Sequence, residues 1–93
     1  MSSESSKAYA VGIRLLSRRE HSIREIEDKL TSKGFDVSVV QMVIDKLVDQ
    51  GYLSQTRFAR SFLSMRISQG KGPLLIHQEM SYRGVTKELI EEV

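Results

Sequence analysis

The stretch GYLSQTRFARSFLSMR, residues 51–66, decides how the rest of the chain is interpreted. Its glycine favours the end of one helix and its serine the start of another, since glycine adopts left-handed backbone and serine caps helix N-termini. Phe58, Ala59 and Phe62 fall on one face of this new helix. Three arginines flank that face: Arg57, Arg60 and Arg66. The stretch therefore predicts a core helix whose basic flank is either solvated or meets a negatively charged partner.

Helix start and stop signals of the same kind divide the whole chain into six predicted helices. The first runs from about Ser6 to Arg18, with apolar residues at helical spacing. The predicted N-terminal signals of the other five are a capping box, single polar caps and a Gly-Pro pair: Ser22 with Glu25, Asp36, Ser54, Gly72-Pro73 and Thr86. No segment shows a sustained alternation of period two, so we expect an all-α fold.

The helices repeat as a unit of three. An offset of 47 residues aligns Leu15 with Phe62, and an offset of 50 aligns Gly34 with Gly84. A period near 50 is typical of a helical-repeat array, in which neighbouring units stack. We expect a disordered leader at 1–7 and three-helix repeats at 8–53 and 54–93. The last predicted helix is shorter than its counterpart, so we expect a truncated last helix and an incomplete second repeat.

Composition indicates a small globular protein. The chain has 93 residues, 40% hydrophobic and 28% charged, without cysteine. The absence of cysteine excludes disulfides and thiolate metal sites and favours a cytoplasmic location. No apolar run is long enough to span a bilayer.

The positive charge of the chain is local. Residues 1–53 contain eight basic and eight acidic residues, whereas residues 54–83 contain five basic residues and one acidic residue. The five basic residues of the second segment are the candidate partner-binding residues: Arg57, Arg60, Arg66, Lys71 and Arg83. A local excess of this kind favours contact with an acidic or polyanionic surface.

Several short motifs occur here in a characteristic order. They are Arg19-x-x-Ser22, Lys33-Gly34-Phe35, Gly51-Tyr52-Leu53, Arg57-Phe58-Ala59, Gly72-Pro73 and Arg83-Gly84-Val85. Together they resemble the RecX family, the regulators of the RecA recombinase, over nearly the whole chain from Ala8 onward. The GYL…RFA junction and the GKGP…RG stretch are the specific parts of the resemblance.

The resemblance implies a non-enzymatic regulator in DNA repair, recombination and the SOS response of bacteria. Family members are built from tandem three-helix repeats, usually three, and they bind RecA filaments on DNA. They inhibit ATP hydrolysis and strand exchange. The implied partner of this chain is therefore the RecA filament, with weak direct contact to nucleic acid as a further expectation and no cofactor, metal, membrane or small-molecule substrate.

Two features depart from the family pattern. A third repeat is missing, and Leu74-Leu75 stands where a basic residue commonly follows Gly-Pro. Because Leu74, Leu75 and Ile76 cannot all face one core, either an apolar contact surface lies there or a further repeat covers it.

Two other classes of function stay open at this point. Helices 2 and 3 have the length of a helix-turn-helix DNA reader, although Asp45 and Asp49 on the predicted recognition helix would oppose phosphates. A generic scaffold for protein interaction fits the repeat equally well. No catalytic site is predicted, since His21 and His77 lack ligand spacing and Gly70-Lys71-Gly72-Pro73 lacks the pattern of a phosphate loop.

Overall fold

The structure, a computed structural model, describes residues 3–93 and is helical throughout. Its helices, in chain order, are α1 (Ser3–Arg18), α2 (Ile23–Ser32), α3 (Val37–Asp49), α4 (Gln55–Ser68), α5 (Pro73–Tyr82) and α6 (Lys87–Glu92). The described residues contain no strand, and the predicted all-α fold of two three-helix units is confirmed.

Local signals place the helix ends where the sequence predicted them. The Ser22 hydroxyl accepts from the Glu25 N–H and the Glu25 carboxylate accepts from the Ser22 N–H, which completes the capping box. Asp36, Ser54 and Thr86 each cap their helix through a side-chain oxygen. These bonds satisfy backbone N–H groups that a helix N-terminus otherwise leaves without an acceptor.

The helix ends also repeat between the two units. Gly34 and Gly84, related by 50 residues, follow α2 and α5 with φ of 91° and 86°. This left-handed conformation is costly for a residue with a Cβ atom and brings the next N–H back onto the helix. Val85 donates to the Met80 carbonyl oxygen at 3.1 Å, as Phe35 does to Leu30 at 3.3 Å.

The predicted leader is wrong for the residues that the structure describes. Residues 3–7 belong to α1, and Ser5 is 1% exposed. These residues extend α1 by about one turn, and the Ser5 hydroxyl donates to the Met42 sulfur of α3 at 3.6 Å. Tertiary contact with α3 therefore makes a polar segment helical. Met1 and Ser2, the rest of that predicted leader, lie outside the described residues.

Each three-helix unit has its own apolar core. The buried core of the first unit combines α1, α2 and α3 with Leu53: Ala8, Ile26, Leu30, Val40, Val43, Ile44, Leu47 and Leu53. The core of the second unit combines α4, α5 and α6: Phe58, Ala59, Phe62, Ile76, Met80, Val85 and Ile90. The described chain measures 44 × 21 × 21 Å, so the two units form an elongated body.

The first unit is tightly closed where α1 meets α3. Gly12 is buried, and a Cβ atom added to it would lie 2.8 Å from the Leu47 Cδ1 atom. The offset of 47 residues places Ala59 at the equivalent position of α4, where it is also fully buried. A small residue therefore brings the first helix of each unit close to its neighbours.

The leucine pair before Ile76 does not enter the core. Ile76 is 1% exposed, whereas Leu74 and Leu75 are 72% and 44% exposed. The offset of 50 residues equates these leucines with Arg24 and Glu25 of the first unit. The second unit thus has an apolar surface at positions that carry charges in the first.

The connection between α1 and α2 contains a buried histidine. His21 is 2% exposed, and its Nδ1 atom lies 3.0 Å from the Arg19 carbonyl oxygen. Burial lowers the pKa of the imidazole because the charged form loses solvation, and this loss outweighs the opposing effect of the Arg19 hydrogen bond. The neutral ring, with Nδ1–H donating to Arg19, fits this position.

The buried histidine predicts a pH dependence of stability. The folded state binds a proton less readily than the unfolded state, so acidification favours unfolding. We expect the free energy of unfolding to fall between about pH 7.5 and about pH 5.5, and to fall less in His21→Gln. Urea denaturation at both pH values measures this difference. The exposed His77 provides the control variant His77→Gln, and an equal pH effect in His21→Gln and the native protein would contradict the assignment.

Candidate functional site at the junction of the two units

Arg57, one of the predicted partner-binding residues, joins the two units. Its Nε atom lies 2.9 Å from the Glu20 carboxylate, and its Nη2 atom donates to the Gly51 carbonyl oxygen at 2.6 Å. Glu20 belongs to the connection between α1 and α2, 37 residues earlier in the chain. The Arg57 side chain is 47% exposed, so the pair is at the surface and stabilises the fold by no more than about 1 kcal/mol. Its geometric effect is to orient α4 against the first unit.

Arg83 contributes a second contact across the junction. Its Nε atom lies 3.5 Å from the Glu25 carboxylate. Glu25 also accepts from two Arg19 nitrogens, at 3.1 and 3.2 Å, and from the Ser22 N–H at 3.0 Å. Burial alone would raise the pKa of Glu25, but the hydrogen bonds from Arg19 and Ser22 and the Arg19 charge outweigh it and hold this pKa below its ordinary value. Glu25 therefore remains ionised at neutral pH.

Gln55, at the start of α4, bridges both units through its amide group. Its Oε1 atom accepts from the Ile23 N–H at 2.8 Å, and its Nε2 atom donates to the Gly84 carbonyl oxygen at 3.2 Å. Ile23 is the first residue of α2, so its N–H has no acceptor inside that helix. Arg24 adds a bond of 3.0 Å to the Tyr82 carbonyl oxygen. Polar bonds thus connect the two apolar cores.

Arg66 is held inside the second unit. Its Nη2 atom lies 2.9 Å from Glu79, and its Nη1 atom donates to Gln69 at 2.8 Å. Its guanidinium carbon lies 5.1 Å from the Phe62 ring centroid, and that of Arg83 lies 4.7 Å from the same centroid. Both guanidinium groups are close enough for a cation–π interaction with the Phe62 ring. The aliphatic stems of arginines can also cover apolar surface.

The remaining two predicted residues have a different environment. Arg60 and Lys71 are exposed and form no ion pair with another residue in the range 3–93. The five predicted cations therefore do not form one basic surface. Arg57, Arg66 and Arg83 are engaged with carboxylates of the chain itself, whereas Arg60 and Lys71 can reach a partner.

Sequence reasoning missed the carboxylates that engage these arginines. Glu20 and Glu25 lie in the half of the chain where acidic and basic residues balance, so they gave no signal of their own. Gln55 was missed as well. The orphan N–H at the start of α2 requires an acceptor, but only the packed structure identifies which residue supplies it.

The structure also bears on the other classes of function. On α3, the Gln41 amide donates to Asp45 at 2.8 Å and the Ser38 hydroxyl donates to the Asp36 carboxylate. The polar groups that would read bases are thus occupied by acids of the same segment. Within residues 3–93, no three side chains of His, Asp or Glu are grouped to hold a metal ion, and none of the helices is long and apolar enough to cross a membrane.

Comparison with known proteins gives the same family for both units. The family model of the first three-helix domain of RecX matches residues 8–47, and that of the second matches residues 54–93. The chain is 42% identical over 87 residues to regulatory protein RecX of Legionella pneumophila (strain Corby), covering 94% of this chain and 58% of the relative. It is 43% identical over 81 residues to regulatory protein RecX of Halorhodospira halophila, covering 87% and 50%. The chain therefore spans about half of the length of these relatives.

Solved structures agree with this similarity. The crystal structure of RecX from Lactobacillus salivarius superimposes with a TM-score of 0.89 at 26% identity, covering 99% of this chain and 60% of that one. A second crystal structure, of a regulatory protein RecX, gives a TM-score of 0.87 at 24% identity, covering 96% and 45%. The second likeness supports the fold alone.

The Gln55 bridge predicts a local change in hydrogen exchange. In Gln55→Ala the Ile23 N–H loses its acceptor, so we expect its exchange rate to rise by about tenfold or more. Amide exchange followed by NMR measures this rate. Gln41→Ala is the matched control, because the Gln41 amide donates to Asp45 of its own helix. Unchanged exchange at Ile23 in the Gln55 variant would contradict the bridge.

Proposed function

The chain belongs to the RecX family of regulatory proteins, and on that premise we propose that it binds RecA filaments on DNA and restrains their ATP hydrolysis and strand exchange. The observation that carries this proposal is the match of both three-helix RecX domains, in order, along the chain. Such filaments form on chromosomal DNA, so the proposed place of action is the bacterial cytoplasm.

An elongated pair of similar units suits a partner that is itself a helical repeat. Each unit presents exposed cations, and the polar bonds at the junction fix the spacing between the two units. When two weakly binding units are linked at a suitable distance, the second contact forms at a high effective concentration. Modest contacts by each unit can therefore add up to firm retention on a filament.

Arg60 and Lys71 are the residues that we propose contact the filament directly. Both are exposed and unpaired among the described residues, so they meet a partner without breaking an internal bond. Arg57, Arg66 and Arg83 act indirectly in this proposal. Arg57 and Arg83 hold the two units in their relative position, and Arg66 joins α4 to α5 within the second unit.

A comparison of two supports separates the classes of function. We expect this chain to be retained more strongly on RecA-coated DNA than on bare DNA, because the filament adds protein contacts to the phosphate contacts. Retention measured across a salt series on both supports provides the comparison. Tight, sequence-dependent retention on bare duplex would instead indicate a DNA reader. Weak retention on both bare and RecA-coated DNA would indicate a scaffold with another partner.

The same assay tests the two proposed residues. We expect the double variant Arg60→Glu, Lys71→Glu to bind RecA-coated DNA about tenfold more weakly, with unchanged helix content by circular dichroism. Lys7→Glu, Lys87→Glu changes the net charge equally at other exposed positions and provides the control. Equal losses in both double variants would mean that only total charge matters.

A further inference from the structure

The ion pairs across the junction place carboxylates of the first unit beside arginines of the second. Glu20 and Glu25 belong to the first unit by sequence but face Arg57 and Arg83 of the second. The second unit is therefore less positive in space than its sequence suggests. The first unit correspondingly has fewer carboxylates for its own cations, although basic and acidic residues balance in its sequence.

Three of these cations converge on one groove between α1 and α2. The groove has a volume of about 250 Å³ and is lined by Val11, Arg14, Leu15, Arg18 and Lys33. Arg14 and Arg18 are four residues apart on α1, so they lie on the same side about 6 Å apart along the helix axis. Lys33 is the residue at the C-terminal end of α2. The groove lining thus contains three cations and no acidic residue.

The three cations are available for a ligand. Arg14, Arg18 and Lys33 are exposed, and none of them forms an ion pair with a residue in the described part of the chain. The other two lining residues, Val11 and Leu15, are apolar and half-buried. This is a different surface from the one that carries Arg60 and Lys71 on α4 and the loop after it.

We propose that this groove binds the phosphodiester backbone of nucleic acid. Arginine presents a planar fork of donors that matches phosphate oxygens, and lysine adds a mobile point charge. The lining contains neither an aromatic ring for base stacking nor an Asn or Gln side chain for reading base edges. Binding is therefore independent of sequence and serves to position the chain on a strand.

The choice of nucleic acid over an acidic protein segment rests on the proposed function, in which this chain works on a filament that contains DNA. The filament then offers two kinds of anion. The groove of the first unit contacts backbone phosphates, while Arg60 and Lys71 of the second unit contact the recombinase. Two unit faces with different ligands give the chain a fixed orientation on the filament.

The test measures binding of a fluorescently labelled oligo-dT strand by anisotropy across a salt series. The groove variant is Arg14→Gln, Arg18→Gln, and Arg60→Gln, Lys71→Gln removes the same charge elsewhere as the matched control. We expect the groove variant to bind about tenfold more weakly at low salt. Its slope of log K against log salt becomes shallower by about 1.4, because about 0.7 is lost for each phosphate contact to a single strand. Lys33→Gln alone lowers the slope by about 0.7.

Three results would overturn the proposal. One is absence of oligo-dT binding by the native chain at low salt, and another is an equal loss of binding in the groove variant and its control. The third result combines two observations: poly-glutamate displaces oligo-dT at equal charge concentration, and the groove variant also binds poly-glutamate more weakly. Together they would identify an acidic protein segment as the ligand.

The assay separates this inference from the proposed function. If the native chain prefers RecA-coated DNA but the groove variant binds oligo-dT like the control, the groove assignment fails and the filament proposal stands. If the groove variant loses oligo-dT but the native chain shows no preference for coated DNA, the groove stands and the filament proposal fails.

Discussion

The relative position of the two units depends on ion pairs that two acidic residues of the first unit form with arginines of the second. Glu20 and Glu25 lie in and just after the α1–α2 connection, and they engage Arg57 and Arg83 across the junction. Glu25 also closes the cap of α2 and binds Arg19, so the same carboxylate orders a helix start and a contact between units. Two small apolar cores that share few direct contacts are in this way held as one elongated body.

This arrangement explains why charge along the sequence differs from charge in space. The basic segment at 54–83 is largely neutralised by carboxylates, two of them from the first unit and Glu79 from its own. Among residues 3–93, the exposed cations without a carboxylate partner include those of the α1–α2 groove and the pair Arg60 and Lys71. Each unit therefore presents exposed cations, and the proposed binding to a protein–DNA filament would use both sets.

Local signals were sufficient to predict the fold, and they were insufficient to predict the site. Caps at Ser22 and Ser54 and left-handed glycines such as Gly34 act within a few residues, so spacing alone located the helices. The Arg57–Glu20 pair joins residues 37 positions apart, and its formation depends on how two units pack. The start of α1 was misjudged for the same reason, since contact with α3 makes polar residues helical. Contacts between residues far apart in the chain could not be predicted from the sequence alone.

The central claim is that internal contacts hold the guanidinium groups of Arg57, Arg66 and Arg83, while those of Arg14, Arg18 and Arg60 form no ion pair within residues 3–93. Hydrogen exchange at the arginine Nε–H groups, measured by NMR on the chain alone, tests it most directly. The first three should exchange markedly more slowly than the second three. The Arg57 Nε–H donates to Glu20, the Arg83 Nε atom lies 3.5 Å from Glu25, and the Arg66 Nε atom is buried away from water. One common rate for all six would contradict the account.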